Sequence, residues 1–188
     1  MAGKKLVIII NGKGGCGKDT ICDILERHYP IKRISTITKV KQAARLMFGW
    51  KGGKEPKDRK FLSDLKDLWT DYNDGPFHHA IDEFQKFAEK PVAAYNEILI
   101  MHVREPSEIK KIKDRIELRG SSIPCVTLLI KSPRTESVEY GNEADDLVNK
   151  YPYDFLYNNA APLNKVDEDF MDFFYTFIAP SWQESHHT

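Results

Sequence analysis

The first twenty residues constrain this 188-residue chain more than any other stretch. Leu6-Val7-Ile8-Ile9-Ile10 is an unbroken, mostly β-branched apolar run, the pattern of a strand buried on both faces. It passes directly into Asn11-Gly12-Lys13-Gly14-Gly15-Cys16-Gly17-Lys18. A helical pattern follows, with Ile21, Ile24, Leu25 and His28 on one face, and Pro30 stops it. A strand of this kind needs a covering layer on each side, so the rest of the chain has to supply helices for both.

It does so by alternation. Residues 31–37 read as a second, weaker strand, with Ile34 and Ile37 among polar neighbours. Val40, Ala43, Ala44, Met47 and Phe48 then fall at helical spacing, closed by Gly49. Residues 49–57 read as a loop. Phe61, Leu62, Leu65, Leu68, Trp69 and Tyr72 make an amphipathic helix that Asn73-Asp74-Gly75-Pro76 closes. A further helix carries Ile81, Phe84, Phe87 and Ala88 up to Pro91. Residues 98–103 predict a third strand, and Pro106 opens a helix that turns Ile109, Ile112 and Ile116 inward. Residues 125–130 predict a fourth strand, 131–141 a polar loop, 143–150 a short helix and 154–157 a fifth strand. The last helix, over 164–178, carries Val166, Phe170, Phe173, Phe174 and Phe177.

Strands separated by helices imply βαβ crossovers. The expected fold is a three-layer α/β domain spanning 1–188, with helices on both faces of a parallel sheet. The consecutive helices between the second and third strands read as an inserted lobe.

Charge narrows the partner. The chain carries 28 basic and 28 acidic residues, but residues 1–60 hold 15 against 5 and the remainder 13 against 23. A neutral total argues against a general nucleic-acid or membrane-surface binder. The basic first third suits a small anionic ligand, or simply solvated lysines. The longest unbroken apolar run, Leu6–Ile10, is far shorter than the roughly 20 residues of a membrane-spanning helix, and the opening Met1-Ala2-Gly3-Lys4-Lys5 is not expected to lead into a secretory signal. Cys16, Cys22 and Cys125 match no zinc spacing and cannot all pair, so a reducing cytoplasm is expected.

Residues 12–18 fit G-x-x-x-x-G-K. Between a buried strand and a helix, such a loop aims successive backbone N–H groups at an anion. Its glycines let the backbone approach phosphates without Cβ clashes, and Lys18 adds a point charge for the β- and γ-phosphates. The implied ligand is a nucleotide held by Gly12, Lys13, Gly14, Gly15, Cys16, Gly17 and Lys18. Asp19 stands where the usual pattern has Ser or Thr, and the hydroxyl comes one place later, at Thr20.

The longer pattern Gly12-x-x-Gly15-x-Gly17-Lys18-x-Thr20 resembles P-loop nucleoside monophosphate kinases of the adenylate kinase type. Its Gly-Lys-Asp-Thr spelling looks closer to phage-type deoxynucleoside monophosphate kinases and their bacterial relatives. The resemblance covers most of the chain. It implies a five-stranded parallel sheet, ATP and Mg²⁺ as cofactors, and phosphoryl transfer to a nucleoside or deoxynucleoside monophosphate. Residues 38–96 would be the acceptor-binding lobe and 131–144 a short lid.

The resemblance also implies roles. Lys41, in Thr38-Lys39-Val40-Lys41, resembles a lysine opening the family's next helix. Arg104-x-x-x-Glu108 resembles the acceptor-side segment, its arginine gripping the monophosphate. Lys131-Ser132-Pro133-Arg134 resembles the loop entering the lid, with Arg134 on the transferred phosphate, and Asn158-Asn159-Ala160 resembles the turn near the ATP base. Asp19 and Thr20 would hold the metal. His102 stands where such kinases carry a strand-three aspartate that helps hold Mg²⁺. Thr36, Thr38 and Arg59 join the acceptor candidates, the threonines because α/β ligands bind at the carboxyl ends of strands; a strand-end or solvated helix-face role fits them as well. Two other readings stay open: a kinase for another small acceptor such as dephospho-coenzyme A, and an ATP-binding sensor without efficient transfer. The chain is expected to act as a monomer.

Overall fold

The computed structural model describes residues 3–53, 55–118, 122–136 and 147–182. Five strands form one sheet: β1 (Lys5–Asn11), β2 (Ile31–Ser35), β3 (Glu97–His102), β4 (Cys125–Lys131) and β5 (Phe155–Asn158). Their order is β2-β3-β1-β4-β5, and every pairing is parallel. β1, the most apolar strand, sits at the centre and is buried along its whole length. The weaker strands β2 and β5 lie at the edges, where a partly polar sequence is tolerated because one side faces solvent.

Side chains alternate between two cores, as the period of two requires. Leu6, Ile8 and Ile10 of β1, with Ile98 and Ile100 of β3, pack under α1 (Lys18–His28) and the C-terminal helix. Val7 and Ile9, with Leu99 and Met101, pack on the opposite face under the helices Gly75–Glu89 and Pro106–Leu118.

Between β2 and β3 run α2 (Thr38–Phe48), α3 (Pro56–Asn73) and α4 (Gly75–Glu89). α4 is not part of a detached lobe, because Phe77, Ala80, Ile81, Phe84 and Phe87 give it a stripe that belongs to the sheet core. Only α2 and α3 stand apart, around a small cluster of Val40, Ala44 and Leu62. α3 begins two residues earlier than the loop pattern of 49–57 suggests. Pro56 takes the first helical position, and the Asp58 carboxylate accepts from the Glu55 amide at 3.2 Å and the Trp50 indole at 3.0 Å. The α3–α4 turn puts Asp74 at positive φ (58°), and Gly75 packs bare against the Trp69 ring.

α5 (Pro106–Leu118) follows β3, and a single turn, α6 (Pro133–Glu136), follows β4. Of the expected lid over 131–144, residues 137–144 lie outside the described residues. The short helix expected over 143–150 is a 3₁₀ turn, Val148–Lys150, within the described part. The last helix, α7 (Val166–Phe173), widens into a π turn at Phe174–Ile178 and tightens at Ala179–Trp182. Phe170, Phe174, Ile178 and Trp182 are buried by this path, whereas Phe177 is exposed. Among the described residues no helix is long and apolar enough to cross a membrane.

Candidate functional site

β1 and β3 are neighbours, yet the chain leaves β1 toward β2 on one side and leaves β3 toward β4 on the other. A crevice therefore opens between their carboxyl ends, where open α/β sheets bind ligands. The glycine-rich loop follows β1 and Arg104 follows β3, so both border this crevice.

The loop is shaped from three sides. Gly12, Gly15 and Gly17 take φ of 150°, 75° and 98°. A Cβ at Gly12 would strike the Ile130 carbonyl of β4 and the Cys16 sulfur; one at Gly17 would strike the Asn159 amide. Asn159 is buried, and its Nδ2 donates to the Cys16 carbonyl at 3.0 Å while its backbone N–H donates to the Lys131 carbonyl at 2.7 Å. The turn after β5 thus holds the loop's far wall. α1 starts behind Gly17 with no side-chain cap, which leaves its first-turn N–H groups and positive dipole end directed at the loop. The Lys18 ammonium donates to the carbonyls of Gly12 and Lys13, the latter at 2.9 Å, and so lies inside the loop's curl. Burial raises the pKa of Cys16 despite the nearby Lys18 charge, which keeps its thiol neutral.

Asn11 is the residue that sequence reasoning missed. Its Oδ1 accepts the Gly12 amide at 2.8 Å, and its Nδ2 donates to the Arg104 carbonyl at 2.8 Å and to the Tyr153 hydroxyl at 2.7 Å. Tyr153 in turn donates to the Val148 carbonyl at 2.9 Å. One buried amide thereby fixes the ends of β1 and β3 and the segment before β5. The available signal was a polar residue closing an otherwise apolar strand.

Asp19 and Thr20 are exposed on the first turn of α1. His102 ends β3 with its Nε2 3.7 Å from the Cys22 sulfur. Burial pushes its pKa down to about 4, and the charges of Lys18, Arg33 and Lys41 add to that against Asp19. It is neutral near pH 7. Thr36 is buried and donates its amide to the His102 carbonyl at 3.4 Å; Thr38 opens α2, with Lys41 half-buried one turn on. Arg59 is exposed on the first turn of α3, Arg134 on α6, and Asn158 at the end of β5.

Glu108 is engaged elsewhere. Lys66 of α3 reaches across to Glu105 at 2.5 Å and Glu108 at 2.9 Å. Burial, with the Glu105 carboxyl beside it, pushes the Glu108 carboxyl up to about 7 against the nearby Lys66 charge. Burial opposes charge on Glu105 too, but hydrogen bonds from Glu108 and Lys66 outweigh it and hold that carboxyl below its ordinary range. Beside this cluster, α2 and α3 enclose a groove of about 560 Å³ lined by Lys39, Val40, Ala43, Leu65, Leu68, Trp69 and Tyr72. None of these seven belongs to the polar set expected from the sequence.

The geometry admits a nucleotide. The loop curls round the Lys18 ammonium at the uncapped start of α1, and the Asp19 carboxylate and Thr20 hydroxyl beside it suit a hard cation that shares phosphate oxygens. Among the described residues no group of three or more His, Cys, Asp or Glu forms a protein-only metal site.

No protein-family model matches the chain, and no curated protein matches it in sequence. Solved structures do. Dephospho-CoA kinase from Campylobacter jejuni superposes with a TM-score of 0.52 at 11% identity, covering 91% of this chain and 96% of that one. TT1252 from Thermus thermophilus gives 0.50 at 13% identity, covering 93% and 98%. Shikimate kinase from Aquifex aeolicus gives 0.45 at 14%, covering 91% and 97%. At such identities the likeness is one of fold: the chain shares a three-layer α/β architecture with the dephospho-CoA kinase and TT1252.

Proposed function

We propose that the chain transfers the γ-phosphoryl group of ATP to a nucleoside or deoxynucleoside monophosphate, giving the diphosphate and ADP. The observation that carries this reading is the crevice itself. A phosphate-type loop after β1 and an arginine after β3 border one switch point, and a single buried amide, Asn11, ties their backbones together.

Lys18 would move from the Gly12 and Lys13 carbonyls onto the β- and γ-phosphates, while the loop amides hold the remaining oxygens. When bound, ATP supplies the phosphoryl group and Mg²⁺ neutralises charge on it. Asp19 and Thr20 would hold the metal, because His102, neutral and half-buried, offers no negative charge at the position where the family's aspartate stands. Arg104 would grip the acceptor's phosphate with its guanidinium fork, and Arg134 would approach the transferred group from the β4 side. Thr36, Thr38, Lys41 and Arg59 would border the acceptor, with Asn158 and Asn159 near the donor base. Residues 38–73 would form the acceptor lobe and 131–144 the lid.

The groove between α2 and α3 favours a nucleotide acceptor over a small polar one. Its walls are aliphatic and aromatic, its volume lies in the range of small-molecule sites, and a flat base can lie against Trp69 and Tyr72. The test is a panel in which ATP·Mg²⁺ is offered with each ribo- and deoxyribonucleoside monophosphate and with dephospho-coenzyme A. ADP release and phosphorylated product are both followed. Turnover with one monophosphate is the expected result. Turnover only with dephospho-coenzyme A would replace the acceptor, and ATP binding without transfer to any acceptor would leave a nucleotide-binding module.

A further inference from the structure

Lys66 is a lysine where an apolar residue would be expected. Its side chain is only 10% exposed, on a helix whose other inward residues are Phe61, Leu62, Leu65 and Trp69. Burying an ammonium with two carboxylates costs desolvation, and packed hydrophobic residues often serve stability as well or better. Stability alone is therefore a weak account of this cluster.

Its place in the fold supplies a better one. The apolar residues of α3 pack with α2 and with Trp50, in a cluster separate from both faces of the sheet. Lys66 reaches past that cluster to the start of α5, where Glu105 directly follows Arg104 and Glu108 lies one turn on. The Arg104 carbonyl is held by Asn11, which also holds the first amide of the glycine-rich loop. A continuous run of ionic and hydrogen-bonded contacts thus leads from α3, through residues 104–108, to Gly12.

We propose that Lys66 is a positioning residue: clasped by Glu105 and Glu108, it fixes the α2–α3 unit relative to the end of β3, and so sets how the acceptor groove stands toward Arg104. The functional half of this rests on the acceptor reading above. Lys66 touches no reacting atom. It acts through where α3 stands.

The test uses the full chain with spin labels at two exposed positions, Ser63→Cys on α3 and Lys110→Cys on α5; Cys16, Cys22 and Cys125 are buried. Electron–electron resonance should give one narrow distance in the parent and in Lys66→Arg, and a broad distribution in Lys66→Met. In steady-state assays with the acceptor found by the panel, Lys66→Met should raise the acceptor KM roughly tenfold or more. It should leave the ATP KM unchanged, and Lys66→Arg should restore the acceptor value. An unchanged distance in Lys66→Met overturns the proposal. So does a broadened distance with an unchanged acceptor KM, or equal losses for both substrates. If Lys66→Met does not fold, the double variant Glu105→Gln/Glu108→Gln must give the same broadening. Absence of turnover with every acceptor counts against the function proposed above, while the distances still decide whether Lys66 fixes the lobe.

Discussion

The two sides of the crevice are built by different means. On the loop side the shape is a backbone property: three glycines at positive φ, packed against β4 and clamped by the buried amides of Asn11 and Asn159. On the lobe side, α2 and α3 share a small apolar cluster of their own and meet the start of α5 through charged side chains. Rigid backbone suits a ligand part that never varies, such as a triphosphate. Side-chain attachment suits a part that differs between acceptors and a wall that has to move, since phosphoryl transfer requires water to be shut out.

The largest effects should come from breaking the loop side. Lys18→Ala should lower kcat about a thousandfold by removing a cation aimed at the transferring charge, as ADP release will show; retained turnover would mean that the loop is not the donor site. Gly17→Ala comes next. Its methyl meets the Asn159 amide and its φ of 98° is strained for any residue with a Cβ, a cost of about 1–3 kcal/mol. Thermal melting should fall, and calorimetric ATP binding should weaken with it.

Arg104→Ala breaks the other side and should look different. Losing a charge-assisted pair with a phosphate costs about 2 kcal/mol, or roughly thirtyfold in acceptor KM. ATP affinity should stay as it was, because the loop is held to Arg104 through its carbonyl and not through its guanidinium. Equal weakening of both ligands would show that the two sides are not separable as described.

The same contrast explains what could be read from the sequence. The loop side was legible because its signals are local. A β-branched run, glycines at fixed spacing and a lysine describe one strand–loop–helix unit, and the β1 core and the helices on both faces follow from periodicity. The strand order was not legible in the residues, because which helix crosses which strand is a long-range matter. Asn11 and Asn159 escaped as anchors because a buried amide is defined by partners far along the chain, at Arg104, Tyr153 and Cys16. The lobe side was the least legible. The expected lobe ran to residue 96, but α4 covers the sheet; Glu108 matched a motif, yet its geometry is set by Lys66, forty-two residues away.

Acid gives the sharpest comparison, because the two sides should respond to it in opposite directions. His102, beside the loop, has its folded pKa pushed by burial from 6.5 down to about 4. Between those values the unfolded chain binds a proton that the native state refuses, so this group removes stability as pH falls from about 6.5 toward 4. Glu108, in the lobe cluster, has its folded pKa pushed by burial from 4.5 up to about 7. There the native state binds the extra proton, so this group adds stability as pH falls from about 7 toward 4.5 and loses it on the way up; the lowered Glu105 loses its contribution only below about 4.5. In the parent chain the two slopes oppose each other across pH 5–6.5. Glu108→Gln should therefore lose stability on acidification more steeply than the parent, and His102→Gln less steeply. Each difference should approach one proton, about 1.4 kcal/mol per pH unit, in urea unfolding measured from pH 4.5 to 7.5. Parallel curves for the parent and Glu108→Gln would mean that Lys66 neutralises the pair without a shared proton, and the lobe would then be tied by a plain ion pair.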